Sequence, residues 1–205
     1  MDKAVIIGVF EGLGFLFCKR ILEEGIEVEG IHLNVAENDS EIEEKRLQIG
    51  RNANFTEWES RNFDFKLLER KGIVVFVDLY SLFMKECEMK LLESEDLRKI
   101  LNQFQSEAGK MVLLLPISLL SKSGSIHSDP KWRGIIDLKK QKHTSSIQFF
   151  YLPPIWGQSE SDNASSSQFG RGHGASEQRD HIAFSPDDVV DAMLDVINEK
   201  KDESF

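Results

Sequence analysis

The chain has 205 residues, of which 40% are hydrophobic and 29% are charged, proportions that are ordinary for one folded domain with a substantial core. The formal net charge of −10 argues against binding to nucleic acid or to an anionic membrane, because both partners are polyanions. No apolar run approaches the roughly 20 residues that a membrane-spanning helix needs. We therefore expect a single domain over residues 1–205 that binds neither nucleic acid nor membrane.

The first half of the chain alternates between strand-like and helix-like segments. Apolar runs predict strands at residues 3–8, 27–33, 55–58 and 72–80. Helical spacing of apolar residues, or a charged stretch between strands, predicts helices or helical turns at residues 12–24, 40–50 and 65–72. Gly25 stands where a left-handed residue commonly ends a helix. This alternation is typical of α/β proteins.

The second half continues the pattern with one interruption. The sequence predicts helices at residues 94–108, 132–140 and 186–200, and strands at 111–118 and 146–152. Residues 157–182 are rich in Ser and Gly and predict a flexible low-complexity loop. Ser185 as N-cap and Pro186 at the first helical position predict the start of the last helix. We expect a doubly wound, Rossmann-like parallel sheet with helices on both faces.

Glycines separate the first strand from the first helix. Gly8, Gly12 and Gly14 lie in the stretch GVFEGLG. Glycine suits such a place because it adopts backbone angles that other residues resist. It also lets backbone N–H groups approach a phosphate at the helix N-terminus. The spacing between strand and helix therefore predicts a phosphate-binding loop, although Glu11 inside it would repel a pyrophosphate.

Four stretches of the sequence resemble the short-chain dehydrogenase/reductase superfamily. GVFEGLG is similar to the family's glycine loop, and KRILEEGIEVEGIHL continues as its first helix and second strand. YLPPIWGQSE and AFSPDDVVDAML resemble two segments of the extended, sugar-nucleotide branch, in the right order. The resemblance implies a Rossmann fold that binds NAD or NADP, with a rudimentary substrate subdomain. The residues that it assigns to the cofactor are Gly8, Phe10, Glu11, Gly12, Leu13, Gly14 and His32.

Two cofactor positions depart from the family pattern. His32 stands where members that use NAD carry an acid for the adenosine ribose, and no arginine follows it to receive a 2′-phosphate. Glu11 brings a negative charge into the glycine loop. Two hypotheses about the glycine loop remain open. The scaffold has kept its glycines for packing alone, or it binds a dinucleotide weakly with Glu11 turned outward.

The catalytic pair of the family, a tyrosine with a lysine four residues later, is missing. In the alignment Trp132 takes the tyrosine position and Ile136 the lysine position. An indole has no acidic proton to give at neutral pH, and an isoleucine carries no charge to lower a neighbouring pKa. Tyr80 and Tyr151 are the two tyrosines of the chain, and neither has the lysine. Ser118, after the fifth strand, is the one weak catalytic candidate.

These observations favour a non-catalytic protein that senses a nucleotide or binds another protein. The alternative is an atypical NAD(P)-dependent oxidoreductase or nucleotide-sugar epimerase whose catalytic groups have moved. Cys18 and Cys87 lie in apolar contexts without metal spacing, and the five histidines form no zinc-binding pattern. We expect reduced, buried thiols, no metal site and a cytoplasmic location.

Overall fold

The computed structural model describes residues 1–32, 40–64, 68, 71–84, 110–120, 147–153, 155 and 184–199. The strands are β1 (Lys3–Ile7), β2 (Glu27–His32), β3 (Phe55–Glu59), β4 (Ile73–Asp78), β5 (Lys110–Pro116) and β6 (Ile147–Leu152). The helices are α1 (Gly12–Glu23), α2 (Ser40–Ile49), α3 (Leu79–Met84) and α4 (Pro186–Glu199). Short 3₁₀ turns lie at Ser60–Asn62 and Ile117–Leu120.

The six strands form one sheet in the order β3-β2-β1-β4-β5-β6, and every neighbouring pair is parallel. On one side of the sheet β2 and β3 follow outward from β1, and on the other side β5 and β6 follow outward from β4. The direction in which the chain adds strands to the sheet therefore changes between β1 and β4. This confirms the predicted α/β class with a doubly wound parallel sheet. The carboxyl ends of β1 and β4 meet at the change of direction, where open sheets of this type commonly bind ligands.

The sheet has an apolar core on each face, because successive side chains of a strand point to opposite sides. Ala4 and Ile6 of β1 pack in the cluster that contains the buried faces of α1, α2 and α4. Val5 and Ile7 belong to a second cluster on the other face. Strands buried on both faces read as continuous apolar runs, and this is why the central strands could be predicted from the sequence.

The predicted fourth strand is too long. Residues 72–80 are predicted as a strand, but β4 ends at Asp78 and α3 begins at Leu79. The Oδ1 atom of Asp78 accepts the Ser81 N–H at 2.9 Å, a side-chain contact that starts a helical turn. The fifth strand is likewise predicted to residue 118 but ends at Pro116, and the 3₁₀ turn follows it.

Several predicted features lie outside the described residues. These are the helices at 94–108 and 132–140, most of the turn at 65–72, the loop at 157–182 and Cys87. Among the helices that the structure describes, none has the length and apolar character to cross a membrane. Cys18 is buried, as predicted, and its burial raises the pKa of the thiol to about 12.

Candidate functional site

The glycine loop joins β1 to α1 at the change of chain direction. Gly8 follows β1 with a φ of +86°, a conformation that side chains with a Cβ atom resist. The Glu11 N–H donates to the carbonyl oxygen of Gly8 at 2.9 Å, and α1 begins at the next residue. The predicted loop between the first strand and the first helix is therefore present, with a tight turn at its start.

Gly14 lies directly against the backbone of this loop. A Cβ atom at residue 14 would stand 2.1 Å from the carbonyl oxygen of Gly8 and 3.0 Å from its carbonyl carbon. No side chain fits into that space unless the helix moves away from the strand. Packing between helix and strand therefore accounts for Gly14, and the φ angle accounts for Gly8, without any bound phosphate.

The first backbone N–H groups of α1 bind side chains from the carboxyl end of β4 and the start of α3. The Leu13 N–H donates to the Ser81 hydroxyl at 3.1 Å, and the Gly14 N–H donates to Asp78 Oδ2 at 2.8 Å. The N-terminus of a helix leaves such donors without intrahelical acceptors, and in nucleotide-binding loops they bind phosphate. Here a carboxylate of the chain itself takes the place of an external anion.

Glu11 and Asp78 form a buried carboxylate pair beside Gly8. Glu11 is 2% exposed and Asp78 is 1% exposed. A Cβ atom built on Gly8 would lie 3.3 Å from Glu11 Cγ and 3.6 Å from Asp78 Cβ, so the two side chains flank the same glycine. Burial raises the pKa of Asp78, and the charge of Glu11 raises it further, whereas the hydrogen bonds from Ser81 and Gly14 oppose the shift. The hypothesis of dinucleotide binding requires the Glu11 side chain to turn outward. In the structure this side chain is buried instead.

A second group of side chains surrounds Phe10 at the carboxyl end of β2. We call Phe10, His32, Lys45, Arg46 and Glu57 the β2-end cluster. His32 Nε2 lies 3.7 Å from Glu57 Oε1, and the Arg46 guanidinium donates to both Glu57 oxygens, with Nε 2.9 Å from Oε2 and Nη2 2.8 Å from Oε1. Arg46 also lies 5.3 Å from the centre of the Phe10 ring, and Lys45 Nζ donates to the Phe10 carbonyl at 2.8 Å.

The sequence prediction missed the acid beside His32, Glu57, and the two cations, Lys45 and Arg46, that contact Phe10. Lys45 and Arg46 come from α2 and Glu57 from β3, so none of them is close to His32 along the chain. The parallel pairing of β2 with β3 brings Glu57 close to the end of β2, and the position of α2 brings Arg46 to Glu57. The charged run in α2 was the available signal, but its spacing says nothing about which strand it faces.

The catalytic candidates do not assemble into a site among the described residues. Ser118 is exposed in the 3₁₀ turn that follows β5, at the same edge of the sheet as the glycine loop. Tyr80 belongs to α3 and is buried, and its hydroxyl donates to the Pro153 carbonyl at 3.1 Å and accepts the Ile155 N–H at 2.8 Å. Burial raises the pKa of Tyr80, which suits a structural phenol. Trp132 and Ile136 lie outside the described residues.

Comparisons with known proteins identify the fold. No protein-family model and no curated protein matches the sequence. A structure described as a short-chain dehydrogenase/reductase from Burkholderia multivorans with bound NADP has a TM-score of 0.54 and 11% identity, covering 98% of this chain and 92% of that chain. A short-chain dehydrogenase/reductase from Vibrio parahaemolyticus also gives 0.54, with 12% identity over 94% of this chain and 91% of that chain.

A third structure, an oxidoreductase of the same family from Burkholderia thailandensis, gives a TM-score of 0.52 and 12% identity over 95% of this chain and 85% of that chain. At such low identity the likeness concerns the fold rather than the chemistry. The likeness in fold covers nearly the whole chain. The chain has the Rossmann-like α/β fold of the short-chain dehydrogenases/reductases.

Proposed function

We propose that this protein is a divergent relative of the short-chain dehydrogenases/reductases that does not carry out their reaction and acts by contact with another protein. The observation that carries the proposal is the arrangement at the start of α1. Asp78 and Ser81 accept the backbone N–H groups of Gly14 and Leu13, which a bound pyrophosphate would otherwise use. Side chains of the protein itself, Asp78 and Ser81, thus accept the N–H groups that a phosphate would bind.

The charge in the loop supports the same proposal. A pyrophosphate would have to approach two buried carboxylates, Glu11 and Asp78, and like charges repel strongly where water is excluded. A buried carboxylate at this place costs free energy, which the hydrogen bonds to Asp78 offset in part. The expected consequence is that NAD and NADP bind weakly or not at all.

The absence of the tyrosine–lysine pair from the sequence supports the non-catalytic part of the proposal. With Trp132 and Ile136 at the aligned positions, no general acid/base of the family type is available. Tyr80 does not replace it, because its hydroxyl is buried and bonded to the backbone at Pro153 and Ile155. Hydride transfer by the family's route therefore has no proton donor among these residues.

The experiment that tests the proposal is a thermal-shift series with NAD(H) and NADP(H) at millimolar concentration. We expect the melting temperature of the wild type to stay constant as the nucleotide concentration increases. A Glu11→Ser variant removes one of the two carboxylates, and its melting temperature should rise with nucleotide concentration to a plateau. A ligand at about 100 times its Kd stabilises the native state by about 2.7 kcal/mol, which is roughly 5 to 11 °C for a domain of this size.

A Glu24→Ser variant is the matched control, because Glu24 is an exposed acid at the other end of α1. Its melting temperature, like that of the wild type, should not change with nucleotide concentration. A saturable shift of the wild type itself, or reduction of a sugar nucleotide at an enzyme-like rate, would overturn the proposal. If the wild-type melting temperature does not change with nucleotide, crosslinking in cells followed by mass spectrometry would identify the protein partner that the proposal requires.

A second candidate function is an atypical NAD(P)-dependent oxidoreductase or epimerase with relocated catalytic groups. The observation that favours it is the β2-end cluster, which offers Lys45 and Arg46 beside the loop. This activity predicts a saturable wild-type thermal shift that Lys45→Gln weakens. Lys19→Gln is the control, because Lys19 lies 5.8 Å from the Phe15 ring, much as Lys45 does at 5.7 Å, but makes no contact with Phe10 in the structure.

A further inference from the structure

We propose that the carboxyl edge of β5 and β6 is a docking surface for an apolar, basic segment of another protein. The surface consists of Ile117, Leu120 and Phe184, with Asp187 and Asp188 beside them. We call these five residues the docking patch. The proposal rests on the proposed function in that both require a protein partner, and its test uses the protein without any nucleotide.

Large apolar side chains are exposed together at this edge of the sheet. In the part of the chain that the structure describes, five large apolar side chains are well exposed, and three of them lie here: Ile117 and Phe184 are 46% exposed and Leu120 is 47% exposed. Side chains three residues apart in a 3₁₀ turn lie on the same side, so Ile117 and Leu120 face solvent together, whereas Leu119 is buried. Single exposed apolar side chains are normal, but a group of them marks an interaction site.

The strand order brings Phe184 close to this turn. β5 pairs with β6, and Pro116 lies opposite Leu152 at the ends of the two strands. Just beyond β6, Ile155 forms a parallel bridge with Phe184. Neighbouring strands are about 4.8 Å apart, so Phe184 is two strand spacings, roughly 10 Å, from the turn that follows β5. A helix with its side chains is about 10 Å across, so a single segment of a partner spans the apolar part of the patch.

The backbone that carries Phe184 is held from inside the protein. The buried Tyr80 hydroxyl donates to the Pro153 carbonyl and accepts the Ile155 N–H. Ile155 pairs in turn with Phe184, and α4 begins shortly after it. A side chain that is presented from a fixed backbone loses little conformational freedom on binding, and this favours affinity.

The charges beside Phe184 determine the chemistry of the partner. Lys110, at the start of β5, donates to the Ile197 carbonyl near the end of α4, so this helix runs back along the sheet and starts at the carboxyl edge. Asp187 and Asp188 in its first turn are exposed, and neither has an ion pair with a residue that the structure describes. The whole chain has a net charge of −10. Lys or Arg beside apolar residues is therefore complementary to the patch, whereas a second copy of this acidic chain is repelled.

A random peptide library displayed on phage and selected on the wild-type protein without nucleotide tests the patch. We expect the enriched peptides to combine aromatic or aliphatic residues with Lys or Arg. One enriched peptide is then synthesised with a fluorescent label, and its binding is measured by anisotropy. Phe184→Ala should weaken binding about tenfold, because truncation of an interface anchor typically has an effect of this size. Replacement of both Asp187 and Asp188 by Asn should weaken binding about threefold at low salt and less at high salt.

Two control variants make the test specific. Leu47→Ala removes an apolar side chain of α2 that is 72% exposed, and Asp195→Asn neutralises an exposed acid farther along α4. Both should bind the peptide as the wild type does. The substituted side chains are exposed, so all variants should fold, and their circular dichroism checks this.

The docking patch would be overturned if no peptide were enriched, if the enriched peptides lacked Lys and Arg, or if Phe184→Ala bound them as tightly as the wild type. A wild-type dimer in sedimentation that Phe184→Ala dissociates would also overturn it, because the patch would then bind a second copy of this chain. None of these outcomes depends on the thermal-shift series with NAD(H) and NADP(H). Failure of the patch is therefore distinguishable from failure of the proposed function.

Discussion

Replacement of Gly14 by alanine tests whether this glycine is retained for packing. The added Cβ atom would stand 2.1 Å from the Gly8 carbonyl oxygen, a backbone atom that cannot rotate away. Carbon and oxygen atoms that are not bonded stay more than an ångström farther apart than this distance. The start of α1 would therefore have to move away from β1. The substitution therefore strains the contact between helix and strand even when no nucleotide is present.

The magnitude follows from three contributions. Overpacking of a well-filled contact typically costs about 1 to 3 kcal/mol. Displacement of α1 also weakens the 2.8 Å hydrogen bond from the Gly14 N–H to Asp78, and bonds to a charged group contribute about 1.5 to 3 kcal/mol. Alanine in place of glycine returns about 1 kcal/mol of helix propensity. We expect Gly14→Ala to reduce the free energy of unfolding by about 2 to 4 kcal/mol.

Urea denaturation of the ligand-free protein, followed by circular dichroism, measures this loss. Gly25→Ala is the comparison, because Gly25 has a φ of +75° but no atom within 4 Å of an added Cβ. It should lose about 1 to 2 kcal/mol from backbone strain alone. A Gly14→Ala variant as stable as the wild type, or no less stable than Gly25→Ala, would refute the packing explanation.

Three further predictions concern buried polar groups. Ser81→Ala removes the acceptor of the Leu13 N–H and should destabilise the protein by about 1 to 2 kcal/mol in urea denaturation, whereas an unchanged midpoint would exclude this contact as a cap. Tyr80→Phe leaves the Ile155 N–H without its acceptor and should cost about 1 to 3 kcal/mol. The pKa of Tyr80 is raised in the folded state, so the stability that the neutral phenol contributes is present at neutral pH and is lost as the pH rises above about 10. Unfolding of the wild type and of Tyr80→Phe, compared at alkaline pH, measures this loss. Cys18, with a pKa of about 12, should resist alkylation at neutral pH in a variant whose other cysteine is serine, and rapid labelling under native conditions would contradict its burial.

The sequence alone predicted the class of the sheet, a doubly wound parallel sheet, but not the order of its strands. Continuous apolar runs such as residues 3–8 and 72–80 mark strands buried on both faces, and the helical segments between them require parallel pairing. The glycine loop was predicted in place because its residues are contiguous. Where the prediction failed, a side chain had redirected the backbone: Asp78 ends β4 and starts α3 through its hydrogen bond to the Ser81 N–H.

The tertiary structure decided what surrounds the loop. From the sequence, Glu11 could equally have faced outward, and no spacing indicates that Asp78 would bind the Gly14 N–H across a sequence separation of 64 residues. The pairing of β1 with β4 creates that contact, because it aligns the carboxyl ends of two strands that are distant in the chain. A local pattern specifies strands, helices and turns, whereas the charges that meet at a sheet edge depend on the strand order. For this protein the sequence determined a Rossmann-like α/β scaffold with a glycine loop, and the fold determined that the chain's own Asp78 carboxylate accepts a backbone N–H at the start of α1.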